Sequence, residues 1–328
     1  MDKRRIPEMK PLFKERMQKL IGGEWDEYEK ILKVPIVRSI RCNTLKISPN
    51  DLKKKLEEKK WTISQPWKEY PEVMIVTSEL LPGELGRALE HLLGYYYIQE
   101  LASMLPIISL QPKEHENFLD LCASPGSKTT QAAAKMKNTG NIIANEVSLG
   151  RLVILAGNLE RCSVTNTIIT KRDGVAFCSK AKKYLPEIEF DKILVDAPCS
   201  GEGTLRSTPK TYETWSINTV RALSGLQRQL FREAFKLLKV DGEMIYSTCT
   251  HAPEENEAVV SEMLDLFGDS IEILPTNLPL KAREGLTVWE GKEFNPKVKL
   301  CSRIYPQDNN TEGFFVSKFK KIKEYEKQ

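Results

Sequence analysis

Phe118-Leu-Asp-Leu-Cys-Ala-Ser-Pro-Gly-Ser-Lys-Thr-Thr-Gln-Ala-Ala-Ala134 is the segment from which the architecture follows. A short apolar run enters a tight loop carrying Pro125 and Gly126, and strong helix formers follow from about Lys128 to Ala134. The segment reads as strand, loop and helix, a turn that lets a ligand lie against the amides at a helix start. It is not a triphosphate-binding loop, because Ser127 stands where that pattern places glycine directly before lysine. An ordinary βα turn has the same outline, so the neighbouring segments decide.

Downstream the same alternation repeats. Asn141-Ile-Ile-Ala-Asn-Glu146 reads as a second strand ending in a carboxylate, where a ribose diol finds its acceptor. Thr165-Asn-Thr-Ile-Ile-Thr170 reads as a third, followed by Asp173-Gly, placed to accept from an adenine amino group or to make a plain turn. Asp191–Val195 and Glu243–Tyr246 give a fourth and a fifth. Short apolar strands separated by longer helical segments imply an α/β, Rossmann-like parallel sheet with helices on both faces. Ligands of such sheets sit beyond the carboxyl ends of the strands, which is where Asp196, Cys199 and Cys249 fall.

Cys199 follows Ile193-Leu-Val-Asp-Ala-Pro, and Cys249 follows Met244-Ile-Tyr-Ser-Thr. Their neighbours Pro198, Ser200, Gly201 and Gly203, and Ser247, Thr248 and Thr250, are loop-forming or polar, unlike the setting of a cysteine serving as a small buried hydrophobe. That plainer role suits Cys42, Cys162, Cys178 and Cys301. Seven cysteines without a Cys-x-x-Cys pair favour neither a disulfide framework nor a metal site, and the thiols are expected to be reduced. Two thiols at one sheet edge suit a reaction that makes and then breaks a bond to carbon. Carbon 5 of cytosine is a poor nucleophile, but a thiolate adding to carbon 6 turns the ring into an enamine able to take a methyl group from a sulfonium donor. A base must then remove the carbon-5 proton so that the enzyme thiol can leave. Asp196 is placed to serve as the acid near ring nitrogen 3, and Lys128 is a cation able to activate a thiol and hold that carboxyl. One cysteine for attack and one for release accounts for two.

The amino-terminal part has a different character. Residues 1–33 read as helical around a Gly22-Gly23 break, with Leu12, Phe13, Met17, Leu20 and Ile21 at helical spacing. Ser39–Leu45, a helix over 51–60, Trp61–Ile63 and Val73–Val76 then give a β-α-β-β order and a small α+β domain over 1–92. The catalytic pattern occupies 93–328, with helical spacing across Tyr95–Leu110 at its start. Residues 1–60 carry 17 Lys and Arg against 10 Asp and Glu, more than the whole chain's net charge of +4, which draws an anionic partner to that end. For Asp51–Lys60 a solvated helix surface with Leu52 and Leu56 buried suffices. No apolar run is long enough to span a membrane and the start is charged, so a cytoplasmic protein is expected.

Several motifs resemble the Nop/Sun family of RNA cytosine-5 methyltransferases, specifically its compact archaeal-type tRNA members. They are Arg41-Cys-Asn-Thr-Leu-Lys46, Gly94–Ser103, Asp120–Thr129, Asp191–Gly203, and Tyr246–Thr250 with Pro253-Glu-Glu-Asn-Glu257. Arg303-x-x-Pro306 before Gly313-Phe-Phe315 completes the set. The resemblance implies Cys249 as nucleophile, Cys199 in release, Asp196 and Lys128 assisting, and S-adenosylmethionine as donor. It further implies a cofactor site lined by Cys122, Ala123, Ser124, Pro125, Gly126, Ser127, Lys128, Glu146, Arg151, Asp173 and Asp196, and an RRM-like amino-terminal domain. Arg41, Asn43 and Lys46 are the candidate RNA contacts, with Asn43-Thr44 as a local cap the plainer reading. The expected partner is tRNA, then rRNA, with an accessory protein optional and a monomer as the working state. The rival readings are a DNA methyltransferase and a non-catalytic RNA-binding scaffold. Asn309-Asn-Thr-Glu312 replaces the His that many relatives carry near the terminal Gly-Phe-Phe, so no catalytic role is expected there. An additional RNA-binding module is not expected in the roughly 90 residues before the catalytic pattern.

Overall fold

The computed structural model describes residues 8–184, 187 and 189–325, so the helical expectation for residues 1–7 lies outside the described residues. Helix α1 (Pro11–Ile21) starts with proline at its first helical position and buries Phe13, Met17 and Ile21. A 3₁₀ turn at Gly22–Glu24 follows at the expected break, then α2 (Trp25–Leu32), which buries Tyr28 and Leu32. This apolar stripe packs on the larger domain, against Leu205, Tyr212, Trp215, Val220, Ala252 and Tyr305.

The smaller sheet comprises β1 (Arg38–Cys42), β2 (Ile63–Ser64), β3 (Val73–Val76) and β4 (Tyr96–Ile98). Its order is β2-β3-β1-β4 and every pair is antiparallel, the arrangement of an RRM-like fold. Helix α3 (Pro49–Glu58) is capped by Ser48, whose Oγ accepts from the Asp51 amide. Its Leu52 and Leu56 pack on Ile40, Cys42 and Met74. The expectation of helix across Tyr95–Leu110 is corrected. Tyr96–Ile98 pair with β1, Cys42 opposite Tyr96 and Ile40 opposite Ile98. Aromatic and β-branched side chains fit a pleated surface, and here a free strand edge was available to them. The helix begins only at α4 (Leu101–Leu110), where the Glu100 carboxylate accepts from the amides of Ala102 and Ser103. β4 thus lies after residue 92, where the smaller domain was expected to end.

The larger sheet is built from β5 (Asn117–Asp120), α5 (Ser127–Lys135), β6 (Asn141–Asn145), α6 (Leu149–Arg161), β7 (Thr167–Thr170) and α7 (Gly174–Tyr184). It continues with β8 (Phe190–Asp196), α8 (Ile217–Phe235), β9 (Leu238–Thr248), α9 (Glu257–Phe267) and β10 (Ile271–Leu274). Short strands β11 (Arg283–Glu284), β12 (Val288–Trp289) and β13 (Lys292–Glu293) precede β14 (Ser302–Ile304) and β15 (Phe314–Lys321). Strands β7, β6, β5, β8 and β9 lie side by side and parallel, while β15 adds antiparallel to β9. Alternate residues of β8 serve the two faces: Ile193 and Val195 join Phe231, Tyr246 and Phe319 on one, and Leu194 joins Leu105, Phe118 and Ile245 on the other. The chain runs from β5 outward through β6 and β7, then crosses back to β8. That reversal opens a crevice at the carboxyl ends of β5 and β8. No helix among the described residues is long and apolar enough to cross a membrane.

The residues expected to touch RNA instead join the two units. Arg41 is buried, its guanidinium donating to Gln99 Oε1, to the Ser127 carbonyl at 2.7 Å and to Thr130 Oγ1 at 2.8 Å. Asn43 Nδ2 donates to the carbonyls of Gly94 and Cys162, both at 2.9 Å. Lys46 is exposed, but its Nζ donates to the carbonyls of Leu93 and Arg161 at 2.8 Å each. The reason is geometric: the sheet face that carries Arg41 is covered by the larger domain, where Val73, opposite Arg41, packs on Leu101, Met104 and Ile108, and Asn43 and Lys46 stand in the turn after β1 against the end of α6. Arg41→Ala strands these buried acceptors, so denaturant unfolding should show a loss of about 3 kcal/mol. A variant as stable as the parent but weaker for RNA would restore Arg41 to the RNA surface.

Candidate active site

At the crevice, β5 passes into the loop 121–126, whose Ser124–Pro125 bond is cis. The Ala123 amide donates to the Asn145 carbonyl at 2.9 Å, tying the loop to the end of β6. Gly126 has φ 99°, in the left-handed region, and a Cβ there would stand 3.0 Å from Leu155 Cδ1, so glycine suits both the turn and the helix contact. Together these elements border a cavity of about 260 Å³ lined by Cys122, Ser124, Glu146, Arg151, Asp173, Asp196, Cys199 and Cys249, with Leu226 and Leu230 beneath. Ala123, Pro125, Gly126 and Ser127 shape the loop behind that lining, and Lys128 joins the site through Asp196.

Each polar side chain is oriented. Glu146 is buried at the end of β6; one carboxylate oxygen accepts from the Ser148 amide at 2.8 Å and the other lies 3.5 Å from Arg151 Nε. Arg151 also donates from Nη2 to the Ser124 carbonyl at 2.6 Å. Asp173 is exposed on the wall and its Oδ1 accepts from the Ala176 amide at 2.9 Å at the start of α7. Burial pushes the Cys122 thiol well above the usual thiol range, so it acts as an apolar wall.

At the other end of the cavity both oxygens of Asp196 are engaged: Lys128 Nζ donates to Oδ2 at 2.6 Å and Ser247 Oγ to Oδ1 at 2.7 Å. Lys128 Nζ also donates to Ser103 Oγ at 3.2 Å, and lies 5.4 Å from the centroid of the Phe314 ring. Next to this group the sulfurs of Cys199 and Cys249 are 3.2 Å apart. The contact with Cys249, then burial, push the Cys199 thiol well above its ordinary range. The two sulfurs share one contact in which either thiol can donate, beside the Asp196–Lys128 pair.

Sequence reasoning missed Ser103, Ser247 and Asn145, the last donating to the carbonyls of Leu121 and Arg172 at 3.1 and 3.0 Å. Ser103 and Ser247 lay inside motifs already singled out, and Ser103 is the one half-buried residue of an otherwise buried helix, a sign that it faces a cavity.

Comparison with known proteins gives this geometry a context. Residues 107–320 match the family model of the 16S rRNA methyltransferase RsmB/F, and residues 9–101 that of the N-terminal domain of 16S rRNA methyltransferase RsmF. The chain is 42% identical over 300 residues to ribosomal RNA small subunit methyltransferase F of Aliivibrio salmonicida, covering 90% of this chain but only 60% of that relative's length. It is 41% identical over 307 residues to the tRNA (cytosine(49)-C(5))-methyltransferase of Pyrococcus abyssi, covering 94% of both. Among solved structures, a methyltransferase homolog protein from Pyrococcus horikoshii superposes with a TM-score of 0.81 at 35% identity over 94% of each chain. NSun6 from the same organism, solved with SFG, gives 0.79 at 25% identity over 94% of this chain and 97% of that one.

The thiols should separate under a limiting alkylating reagent at neutral pH. Burial pushes Cys42 up to about 12, and raises Cys162, Cys178 and Cys301 as well. Peptide mass mapping should therefore find Cys249 modified first and those four last. Uniform labelling would refute the arrangement described.

Proposed function

The chain belongs to the RsmB/F methyltransferase family, and on that footing we propose that it methylates carbon 5 of cytidine in RNA, with tRNA as the preferred substrate. The observation that carries this reading is the pair of facing sulfurs beside Asp196 and Lys128 at the end of a nucleotide-sized crevice. The crevice suits S-adenosylmethionine: it has a buried carboxylate, Glu146, at a strand end for a ribose, and Asp173 on the wall toward an adenine. Bound there, S-adenosylmethionine supplies the methyl group that carbon 5 accepts.

The chain's residues do the remaining work. Cys249 adds to carbon 6 of the flipped-out ring, its sulfur 3.2 Å from that of Cys199. Lys128 and Asp196, held as a pair by Ser103 and Ser247, hold a proton at the edge bearing nitrogen 3 and stabilise the adduct. Cys199, deprotonated by then, removes the carbon-5 proton, restoring the double bond as Cys249 leaves as thiolate. These roles are supported by the family resemblance and by the 3.2 Å contact between the two sulfurs. The larger unit, from α4 onward, carries this chemistry. The smaller unit, β4 included, presents RNA by surfaces other than the sheet face covered by the larger domain, since that face is closed by Arg41 and Val73.

The tRNA preference is supported by the Pyrococcus abyssi relative, which aligns along 94% of both chains. An rRNA substrate is the second reading, favoured by the descriptions of both matching family models. Incubation of purified protein and donor with tRNA, 16S rRNA and duplex DNA, followed by mapping of 5-methylcytosine, should yield modified tRNA. Modification of rRNA alone would move the substrate, and of DNA alone would remove the reading. Cys249→Ala should abolish transfer, whereas Cys199→Ala should accumulate a denaturation-resistant protein–RNA adduct. Full turnover by Cys249→Ala with none by Cys199→Ala would reverse the roles.

A further inference from the structure

We propose that Gln227 and Glu255 are positioning residues for the release step, a buried brace that grips the peptide groups on either side of Cys199 and aims its sulfur at the carbon-5 proton. The proposal rests on the reading of Cys199 given above and extends it to two residues outside the cavity lining.

Both side chains are fully buried, in a region where polar groups need a purpose. Gln227 projects from the middle of α8, and its Nε2 donates to the Pro198 carbonyl at 2.9 Å and to Glu255 Oε2 at 2.8 Å. The same Glu255 oxygen accepts from the Ser200 amide at 3.0 Å. Residues 198 and 200, immediately before and after Cys199, are thus tied to one amide–carboxylate pair. Further hydrogen bonds fix the pair: the Tyr246 hydroxyl donates to the Glu255 carbonyl, and Ser224, one turn before Gln227, donates to the Glu254 carbonyl. Cys249 is held differently, at the end of β9 with its carbonyl accepting from the Gly203 amide at 2.9 Å. The brace grips the peptide groups flanking Cys199 directly and reaches the Cys249 turn only through Ser200 Oγ and Thr250 Oγ1, 2.8 Å apart, so its loss falls first on the Cys199 sulfur. Glu255 also contributes to raising the Cys199 thiol, behind Cys249 and burial.

The step that depends on the brace balances as follows. After methylation, carbon 5 carries both the methyl group and a proton, and carbon 6 is bonded to Cys249. Cys199, having released its own proton to water, takes the carbon-5 proton. The electron pair of that C–H bond forms the carbon 5–carbon 6 double bond, and Cys249 departs as thiolate with the pair of the sulfur–carbon bond. A base displaced by about 1 Å loses up to about 100-fold in rate, while attack by Cys249 proceeds.

Gln227→Met preserves volume and deletes both donated bonds; Glu255→Ala deletes the shared acceptor, and Glu255→Gln retains an acceptor oxygen. With each purified, folded protein, RNA substrate and S-adenosylmethionine, the denaturation-resistant adduct is quantified beside kcat and KM, with Cys199→Ala as reference. Gln227→Met and Glu255→Ala should lower kcat with KM for RNA unchanged and accumulate methylated adduct, and Glu255→Gln should accumulate less than Glu255→Ala. A fall in kcat without adduct, or turnover at the parent rate in both disruptive variants, overturns the brace. If Gln227→Met fails to fold, the Glu255 pair decides by the same readout. Adduct from Cys199→Ala but from neither disruptive variant removes the brace alone, whereas no adduct from Cys199→Ala means that the underlying role of Cys199 has failed.

Discussion

The parallel register of β8 on β9, with Asp196 opposite Ser247, is the constraint on which the site depends. Each chain leaves the sheet at the same height, so the turn reaching Cys199 and the one reaching Cys249 run beside each other. The same pairing sets Ser247 against Asp196, and hence the direction in which Asp196 meets Lys128. Above the sheet edge three loops stack: the Gly203 amide donates to the Cys249 carbonyl and the Gly313 amide to the Gly203 carbonyl, both at 2.9 Å. A Cβ on Gly203 would lie 2.2 Å from the Gly313 carbonyl oxygen, so glycine is what permits this layer. A shift of one residue between β8 and β9 would turn alternate side chains to the opposite face and part the sulfurs.

Holding loops rather than regular elements around two thiols calls for acceptors inside the protein. Carboxylates withdrawn from solvent provide them: half-buried Glu100 to the Ala102, Ser103 and Glu312 amides, buried Glu202 to the Trp215 indole, and buried Glu255 to the Ser200 amide. Burial is the largest influence on all three and pushes each up to about 7. Asp120, beneath the cofactor loop, is likewise raised to about 7 by burial. Their folded values lie above those of the unfolded chain, so they hold protons in the folded state that the unfolded chain has lost. The stability they contribute is full below the ordinary carboxylate range and is lost as pH rises through about 7. The architecture that orders the site thus trades some stability near neutrality for fixed loops.

The sheet was legible because its signals are local. Strand, glycine turn and helix succeed each other within 118–134, and β6, β7, β8 and β9 each end near a residue that marks the crevice. Cys199 and Cys249 stood out by their neighbours, and Glu146 by its place at a strand end. What escaped reading depended on partners distant in sequence. Tyr95–Leu110 carries helical spacing, yet its first residues pair with β1, some sixty positions earlier, because an edge was open there. Arg41 has the look of a phosphate contact in a basic segment, and only the folded chain reveals that its guanidinium faces Ser127 and Thr130. Gln227 is an unremarkable helix residue until α8 is laid against the Pro198 turn.

That placement of Arg41 changes what the smaller unit is for. Ser127 and Thr130 lie in the first turn of α5, the turn that also carries Lys128, so the cation paired with Asp196 is positioned partly from β1. On the opposite side, α1 reaches the segment beyond Cys249: Arg16 pairs with Glu254 at 2.8 Å, one residue before the carboxylate that holds Ser200. The amino-terminal residues therefore grip the site from two directions, through α5 and through the 250–257 segment. An appended RNA-binding module would keep its sheet face free and its contacts with the catalytic domain few. Here the sheet face is consumed by the contact itself, so the smaller unit and the site share one scaffold, and a displacement of β1 is felt at the turn that carries Lys128.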